Sequence, residues 1–342
     1  MVGRVLTKGL YQAGVLLYWI GAAPLVRWIG RKNPKVILYH DCSDSETDYV
    51  SGLECTTAPE VFSAHIDYLQ RHYRLVDLET ILSGRAPPKS AAITFDDGYA
   101  SVYRNAYPCL KDAQAPATVY LISSVVGNRA LVWVNELNFV LRTEGKRAAD
   151  IVRRFFAIAE GSEAPAIIDA VRTNFDSSKL HAMMAELRDL HPSSPERDAA
   201  KAGLYLSWAQ IREMADNGFT FGNHTKTHPN MERLNEAQQL EEIHGAQKDL
   251  LVHLPEVRLF AHPFGHRADI TAGLAYGAGL ASAADVGGYN APVDPLRLGR
   301  VHMANESVAG LFARMEIVEP IKGWLRLRLS GSGGKRRAEA YA

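Results

Sequence analysis

From residue 36 onward, short apolar runs alternate with amphipathic stretches, and this rhythm organises most of the chain. The runs lie at 36–39, 91–95, 117–122, 219–222, 258–261 and 280–284. Helical periodicity occupies 59–72, 101–113, 207–217, 234–254 and 269–277, with apolar residues returning every three or four positions. Gly218, after Asn217, supplies a helix stop before the run at Phe219. Strands that alternate with helices call for crossover connections and a parallel sheet. The pattern therefore predicts an α/β fold, a distorted or incomplete (β/α) barrel over residues 35–305.

Two segments break the rhythm. Residues 127–203 read as successive helices at 133–142, 148–157, 163–173 and 178–190 with no strand between them. An insertion of this length between barrel units is expected to form a cap or rim beside the active-site face. At the other extreme, residues 9–26 carry no charge, with Arg4 and Lys8 before them and Arg27, Arg31, Lys32 and Lys35 after. The apolar run leads straight into a basic cluster, unlike a cleaved secretory leader. It barely reaches spanning length and is weakened by Gln12, Gly14, Gly21 and Pro24. We expect residues 1–34 to be an apolar, basic helix in contact with a membrane surface through residues 9–30, the protein body lying on the cytoplasmic side. The alternative is an apolar helix packed on the domain itself. Residues 306–342 are expected to form a C-terminal helix followed by a disordered Gly/Ser-rich and basic tail.

Composition narrows the picture only modestly. Lys+Arg and Asp+Glu balance at 38 each among 342 residues, so no global field draws the chain to nucleic acid. Cys42, Cys55 and Cys109 are too few for a disulfide scaffold. Free thiols are the simpler expectation, although a Cys42–Cys55 bridge and a nucleophilic Cys42 near His40 were both conceivable.

The chemistry-bearing residues fall at strand ends. His40 follows the run 36–39, Asp96 and Asp97 follow 91–95, His224 and His228 follow 219–222, His262 follows 258–261, and Arg300 follows a shorter run at 296–298. In a β/α barrel the C-terminal strand ends converge on one face, where such folds place their active sites. Taken singly, each piece is ambiguous. Asp96-Asp97-Gly98 suits a polar turn, and the two imidazoles of His224-Thr-Lys-Thr-His228 share a face only if that segment is a helical turn. A zincin would need Glu after the first His, and Thr225 stands there. Together, two His and one Asp make three protein ligands and leave a fourth position open, as a catalytic metal site requires.

The segments TFDDGY (94–99), HTKTHP (224–229) and FAHPFG (260–265) resemble the motifs of the polysaccharide deacetylases, the NodB-homology carbohydrate esterases. VILYHDC (36–42) resembles the branch containing poly-N-acetylglucosamine deacetylases, whose catalytic His precedes the Asp-Asp motif. The resemblance covers roughly residues 35–300 without the insertion. It implies that Asp97, His224 and His228 hold one divalent metal, Zn²⁺ foremost with Co²⁺, Ni²⁺ or Mn²⁺ as alternatives. It further implies Asp96 as general base, the backbone N–H near Phe264 as oxyanion donor, and His40 as the acid that protonates the leaving amine. Many relatives carry an Arg in the third motif that pairs with the catalytic Asp. Ala261 stands there, and Arg300 is a candidate replacement. His302 rivals His40 as the acid. Tyr99, His262 and Trp133 are candidate pocket residues, His262 alternatively packing or capping the site, and Trp133 with Asn135 and Glu136 forming a sugar rim or, alternatively, anchoring a helix on the barrel. The implied reaction is metal-dependent N-deacetylation of an amino-sugar glycan or glycan precursor. The alternatives are deformylation or deacetylation of a polyprenyl-linked amino sugar, or a catalytically silent carbohydrate-binding protein.

Overall fold

The apolar runs become strands: β1 (Lys35–Tyr39), β2 (Asp41–Cys42), β3 (Thr56–Thr57), β4 (Arg74–Leu75), β5 (Ser90–Phe95), β6 (Ala117–Leu121), β7 (Thr220–Asn223), β8 (Leu259–Ala261), β9 (Ser282–Val286) and β10 (Leu298–His302). The computed structural model describes residues 2–190, 200–265, 273, 275, 280 and 282–329. Nearly all of the helix expected at 269–277, and the tail from 330, lie outside them. The main sheet is parallel throughout and runs β1-β10-β9-β8-β7-β6-β5. β1 also pairs with β5, so the sheet closes into a ring, with the short β4 added beside the start of β5. This is a distorted (β/α) barrel.

Strand parity gives the ring two faces. Ile37, Phe95, Val119, Phe221, Phe260 and Val301 belong to the large core shared with the surrounding helices. Val36, Ala92, Tyr120, Leu259, Ala261 and Leu298 form a smaller cluster inside the ring. Residues of that second parity include 40, 96, 224, 300 and 302, which carries the polar groups into the barrel's mouth. The registers Tyr39↔Phe95 and Leu38↔His302 bring the ends of β5 and β10 level with the end of β1.

The N-terminus is two helices where one was expected. α1 (Val2–Trp19) ends before Gly21 (φ +79°), and Pro24 opens α2 (Ala23–Ile29). Gly can take the left-handed conformation this bend needs, and Pro cannot continue a helix from within. Among the described residues no single helix is long and apolar enough to cross a membrane; Leu6–Trp19 and Ala23–Lys32, bent by 119°, meet the length and composition test only as a pair. One side of α1 packs on the barrel. Tyr18 stacks obliquely on Phe312 and Tyr68, and Gly14 lies so close to Ala313 that a Cβ there would sit 2.6 Å from the alanine's.

Around the ring run α3 (Pro59–His72), α4 (Leu78–Leu82), whose Leu78 and Ile81 join the inner cluster, and α5 (Tyr107–Asp112). α6 (Trp133–Glu144), α7 (Lys146–Phe155), α8 (Ala164–Thr173) and α9 (Ser177–Leu190) follow without a strand. Their apolar faces make a core of their own, around Leu137, Val152, Val171, Met183 and Leu187. α10 (Trp208–Asp216), capped by a Ser207–Gln210 capping box, and α11 (Glu236–Leu251) complete the barrel. The chain closes with α12 (Val308–Ala313), a π-helical turn at Arg314–Val318, and α13 (Glu319–Leu329).

Candidate active site

A cleft of about 600 Å³ opens over the mouth of the ring, with His40, Asp96, Asp97, His224, His228, Arg300 and His302 among its lining. Asp96 and Arg300 form its foundation. Both are buried, and the guanidinium donates Nη1–H to Oδ1 at 2.6 Å and Nη2–H to Oδ2 at 2.8 Å. A planar fork matched to a carboxylate is the geometry in which Arg binds most strongly. Beneath it the Arg300 carbon lies 5.2 Å from the centre of the Tyr120 ring. That ring fills space left by Gly222, where a Cβ would meet it at 2.5 Å. Burial pushes the Asp96 pKa up, but Arg300 and His224 outweigh it, so the carboxyl stays below the ordinary range.

Asp97 turns away from its neighbour. It adopts φ 69°, a left-handed conformation that Asp tolerates better than most residues, and Gly98 follows at φ 73°. Its Oδ1 is buried without a hydrogen bond and stands 3.4 Å from Nε2 of both His224 and His228. Burial raises its pKa, yet the two histidines bring it well below the usual carboxylate value.

The segment carrying the histidines is a loop, not the helical turn considered from sequence. Thr225 and His228 both have positive φ, at 68° and 62°. Glu242 accepts the N–H groups of Lys226 and Thr227 and the Thr227 hydroxyl, Asn223 accepts the Thr225 N–H, and Thr225 Oγ1 accepts the His228 N–H. His224 donates Nδ1–H to the Ala261 carbonyl at 2.9 Å, leaving the Nε2 lone pair aimed at Asp97. Such a backbone bond fixes the tautomer of a metal-binding imidazole. Non-glycine residues in this region of φ/ψ cost about 1–3 kcal/mol each and gather at functional sites. Phe264, at φ 59°, adds another beside the cleft.

The trio Asp97, His224 and His228 offers ligand atoms all within 4.8 Å of one another. Tetrahedral bonds of about 2.0–2.1 Å separate ligand atoms by roughly 3.3 Å, which the two 3.4 Å contacts of Asp97 match. A buried carboxylate oxygen with no hydrogen-bond donor, facing two imidazole nitrogens, is a donor set suited to a divalent cation.

A family model for polysaccharide deacetylase matches residues 83–283. The chain belongs to the polysaccharide deacetylase family. A putative polysaccharide deacetylase of Bacillus subtilis is 30% identical over 111 residues, 30% of this chain and 37% of that one. A poly-beta-1,6-N-acetyl-D-glucosamine N-deacetylase of Staphylococcus aureus is 37% identical over 71 residues, 19% of this chain and 24% of the relative. The chain thus spans only 24% to 37% of the curated relatives' lengths in these matches. Among solved structures, a Streptococcus pyogenes deacetylase in complex with acetate superposes with TM-score 0.55 at 19% identity, covering 82% of this chain and 97% of the other. IcaB from Ammonifex degensii gives 0.54 at 21%, covering 83% and 97%. At these identities the two structures establish the shared fold.

Other residues singled out from the sequence fare differently in this member of the family. His40 and His302 both reach the cleft, their rings 5.2 Å apart and edge to face. Burial lowers the His40 pKa against the pull of Asp97 and Asp96, and burial with His40 beside it takes His302 down to about 3. Tyr99 lines the cleft, with its hydroxyl hydrogen-bonded to Asn135. Phe264 sets its ring edge to face on His228, 4.4 Å between centres.

His262 and Trp133 are not among the cleft's lining, and both follow their packing alternatives. His262 has the opposite strand parity from Ala261, so its fully buried ring packs against Phe260 behind the cleft. Trp133 is 7% exposed and lies behind the wall, donating its indole N–H to the His228 carbonyl at 2.9 Å. It anchors the loop that carries the two histidines and offers no open face to a sugar. Glu136 is likewise structural, forked by Arg188 at 2.6 and 2.8 Å. Cys42 is buried with its thiol pushed up to about 12, which removes it as a nucleophile, and all three cysteines are free. Arg300 sits in mid-strand and not beyond a run ending at 298. Sequence reasoning missed Tyr120 under Arg300, and Arg172 and Asp169 of α8 on the cleft wall. Only the proximity of Tyr120 to Gly222 in adjacent strands could have signalled the first.

Proposed function

We propose that this polysaccharide deacetylase hydrolyses the N-acetyl group of an amino-sugar glycan or glycan precursor. The supporting observation is the division of labour between adjacent carboxylates. Asp97 faces two imidazoles, while Asp96 is held ionised by Arg300 with Oδ2 3.7 Å from His224 Nε2. Asp97, His224 and His228 would hold a divalent cation, Zn²⁺ foremost. Such an ion supplies Lewis acidity, making water a nucleophile near neutral pH and polarising the acyl carbonyl.

The chain's own groups carry the remaining steps. Asp96 accepts the proton of the attacking water. Arg300 keeps both carboxylate oxygens oriented and ionised, taking the part that Ala261 cannot. The backbone N–H of Phe264, in the turn that follows β8 beside the cleft, would serve the developing oxyanion. His40 delivers a proton to the departing amine; burial lowers its pKa, and the carboxylates of Asp97 and Asp96 oppose that shift and favour the protonated ring. The relative's printed substrate, poly-β-1,6-N-acetylglucosamine, makes an N-acetylglucosamine oligomer the first compound to assay.

Acetate release from N-acetylated oligosaccharides, abolished by chelator and restored by Zn²⁺ or Co²⁺, is the expected result. Sugar binding without turnover, unaffected by Asp96→Asn, would instead identify a silent binding protein. A polyprenyl-linked amino sugar is a second reading, favoured by the apolar face of α1 and α2. It predicts turnover of the lipid-linked compound and none of the free oligomer.

A further inference from the structure

The outward side of α1 and α2 has the wrong chemistry for contact with water alone. A surface helix ordinarily turns its polar residues outward. Here the exposed positions include Leu6, Leu16, Trp19, Ile20, Leu25, Trp28 and Ile29, with Trp19 74% and Ile29 67% exposed. Seven of the eleven large hydrophobic side chains that stand exposed among the described residues fall in this short segment, and two more, Ile321 and Trp324, lie on α13. The inward side is already satisfied by Phe312, Ala313 and Tyr68, so core packing does not account for the outer face.

Charge indicates the occupant. The chain is neutral overall, with 38 basic and 38 acidic residues, yet its first acidic residue is Asp41. Residues 1–34 hold Arg4, Lys8, Arg27, Arg31 and Lys32. Arg27 is buried against the Tyr68 hydroxyl, whereas Lys8 and Lys32 are exposed and Arg31 lies over the Trp28 ring at 4.3 Å. Two exposed indoles and branched aliphatics bordered by unopposed cations match the boundary between acyl chains and anionic headgroups. A protein partner would need a complementary acidic rim, and a second copy of this face would bring like charges together.

We propose that α1 and α2 form a docking surface for an anionic lipid bilayer, lying in its interface. The inference is independent of the reaction assigned to the cleft. One connection joins the two regions: the helical segment from Val308 carries α1 and, through Arg314, Glu319 and Lys322, lines the cleft. Docking would bring that wall close to the membrane surface.

Flotation of the full chain with phosphatidylcholine vesicles, with and without about one-third phosphatidylglycerol, tests this. The expected result is flotation with the anionic vesicles, weaker at high salt, and a roughly tenfold or greater loss of the bound fraction in the variant L16S/W19S/W28S/I29S. These side chains are exposed, so an unchanged thermal midpoint and unchanged release of acetate from a soluble oligomer should accompany that loss. A parent protein that does not float, or a variant that floats equally well, overturns the proposal. A concentration-dependent dimer abolished by the same substitutions, without flotation, also overturns it and assigns the face to a second copy. Failure of the acetate assay in the parent protein would count against the proposed reaction and leave the flotation result intact.

Discussion

The floor of the cleft is made by strand ends and the wall by helices of the insertion, and the two hold polar groups in contrasting ways. On the floor, single residues from β5, β7 and β10 meet across the ring, so Asp96 finds its cation 204 residues away. On the wall, charges are paired within a helix or between neighbouring helices, as in Arg172–Asp169 and Arg188–Glu136. Floor groups are buried and their partners irreplaceable, because an unpaired buried charge is expensive. The cleft-lining wall pair Arg172–Asp169 is partly solvated and weak on its own. The floor therefore should govern chemistry and stability together, and the wall should govern how substrate is held.

Asp96→Asn should have the largest effect on turnover. It preserves shape but cannot accept the proton of water, and acetate release should fall about 10²–10⁴-fold in kcat. Metal content, measured on the same sample, should be nearly unchanged, since Asp97 and the two histidines remain. A loss of metal equal to the loss of activity would mean that the two carboxylates do not divide their roles.

Arg300→Met tests the floor as structure. It leaves Asp96 buried without its cation and should cost about 3–5 kcal/mol of stability, read from urea unfolding. The pH dependence has a definite sign. In the folded parent the Asp96 pKa is depressed, so its contribution is present above the unfolded carboxylate pKa and lost as pH falls through the folded value. Without Arg300 the effect of burial gains weight and the Asp96 pKa rises. Turnover, which needs the carboxylate, should therefore fail at a higher pH than in the parent, while the loss of stability on acidification that Asp96 contributes should shrink. His228 adds a second acid sensitivity in the metal-free protein. Burial holds its pKa at about 3 against an ordinary 6.5, so stability should decline as pH falls between those values.

How much of this was legible beforehand depends on whether a position's neighbours lie in the same segment. The helix at 59–72 was readable to the residue because its periodicity and opening proline are local. The strand-end placement of His40, Asp96 and His224 followed from apolar runs that end just before them. Arg300 was misplaced because a charge inside a short run reads as the end of a strand, and only the distant Asp96 explains its burial. His262 follows its packing alternative, since one step of strand parity separates it from Ala261. The break at Gly21 and the left-handed loop after β7 depend on local dihedrals that the apolar pattern does not encode.

Trp133→Phe probes a direct contact through which the wall supports the floor. The ring is kept and the N–H bond to the His228 carbonyl is lost. Loss of an outer hydrogen bond that positions a ligand typically weakens metal binding 10–100-fold. Because His228 is also held by Thr225, we expect the lower end, about tenfold, by competition with a metallochromic chelator. No change would make α6 a packing element alone.

The smallest effect is expected on the wall itself. Arg172 lines the cleft beside Phe264, at 5.5 Å from its ring, and its side chain is about one-third exposed. Its charge is shared with Asp169, so removing it should leave Asp96, Asp97 and the histidines as they are. Arg172→Ala should raise KM severalfold and leave kcat unchanged, the signature of an interaction made equally in the ground and transition states. A fall in kcat with KM preserved would instead place Arg172 in contact with charge that develops during the reaction. The boundary between floor and wall would then have to be redrawn through Phe264, the residue on which both regions meet.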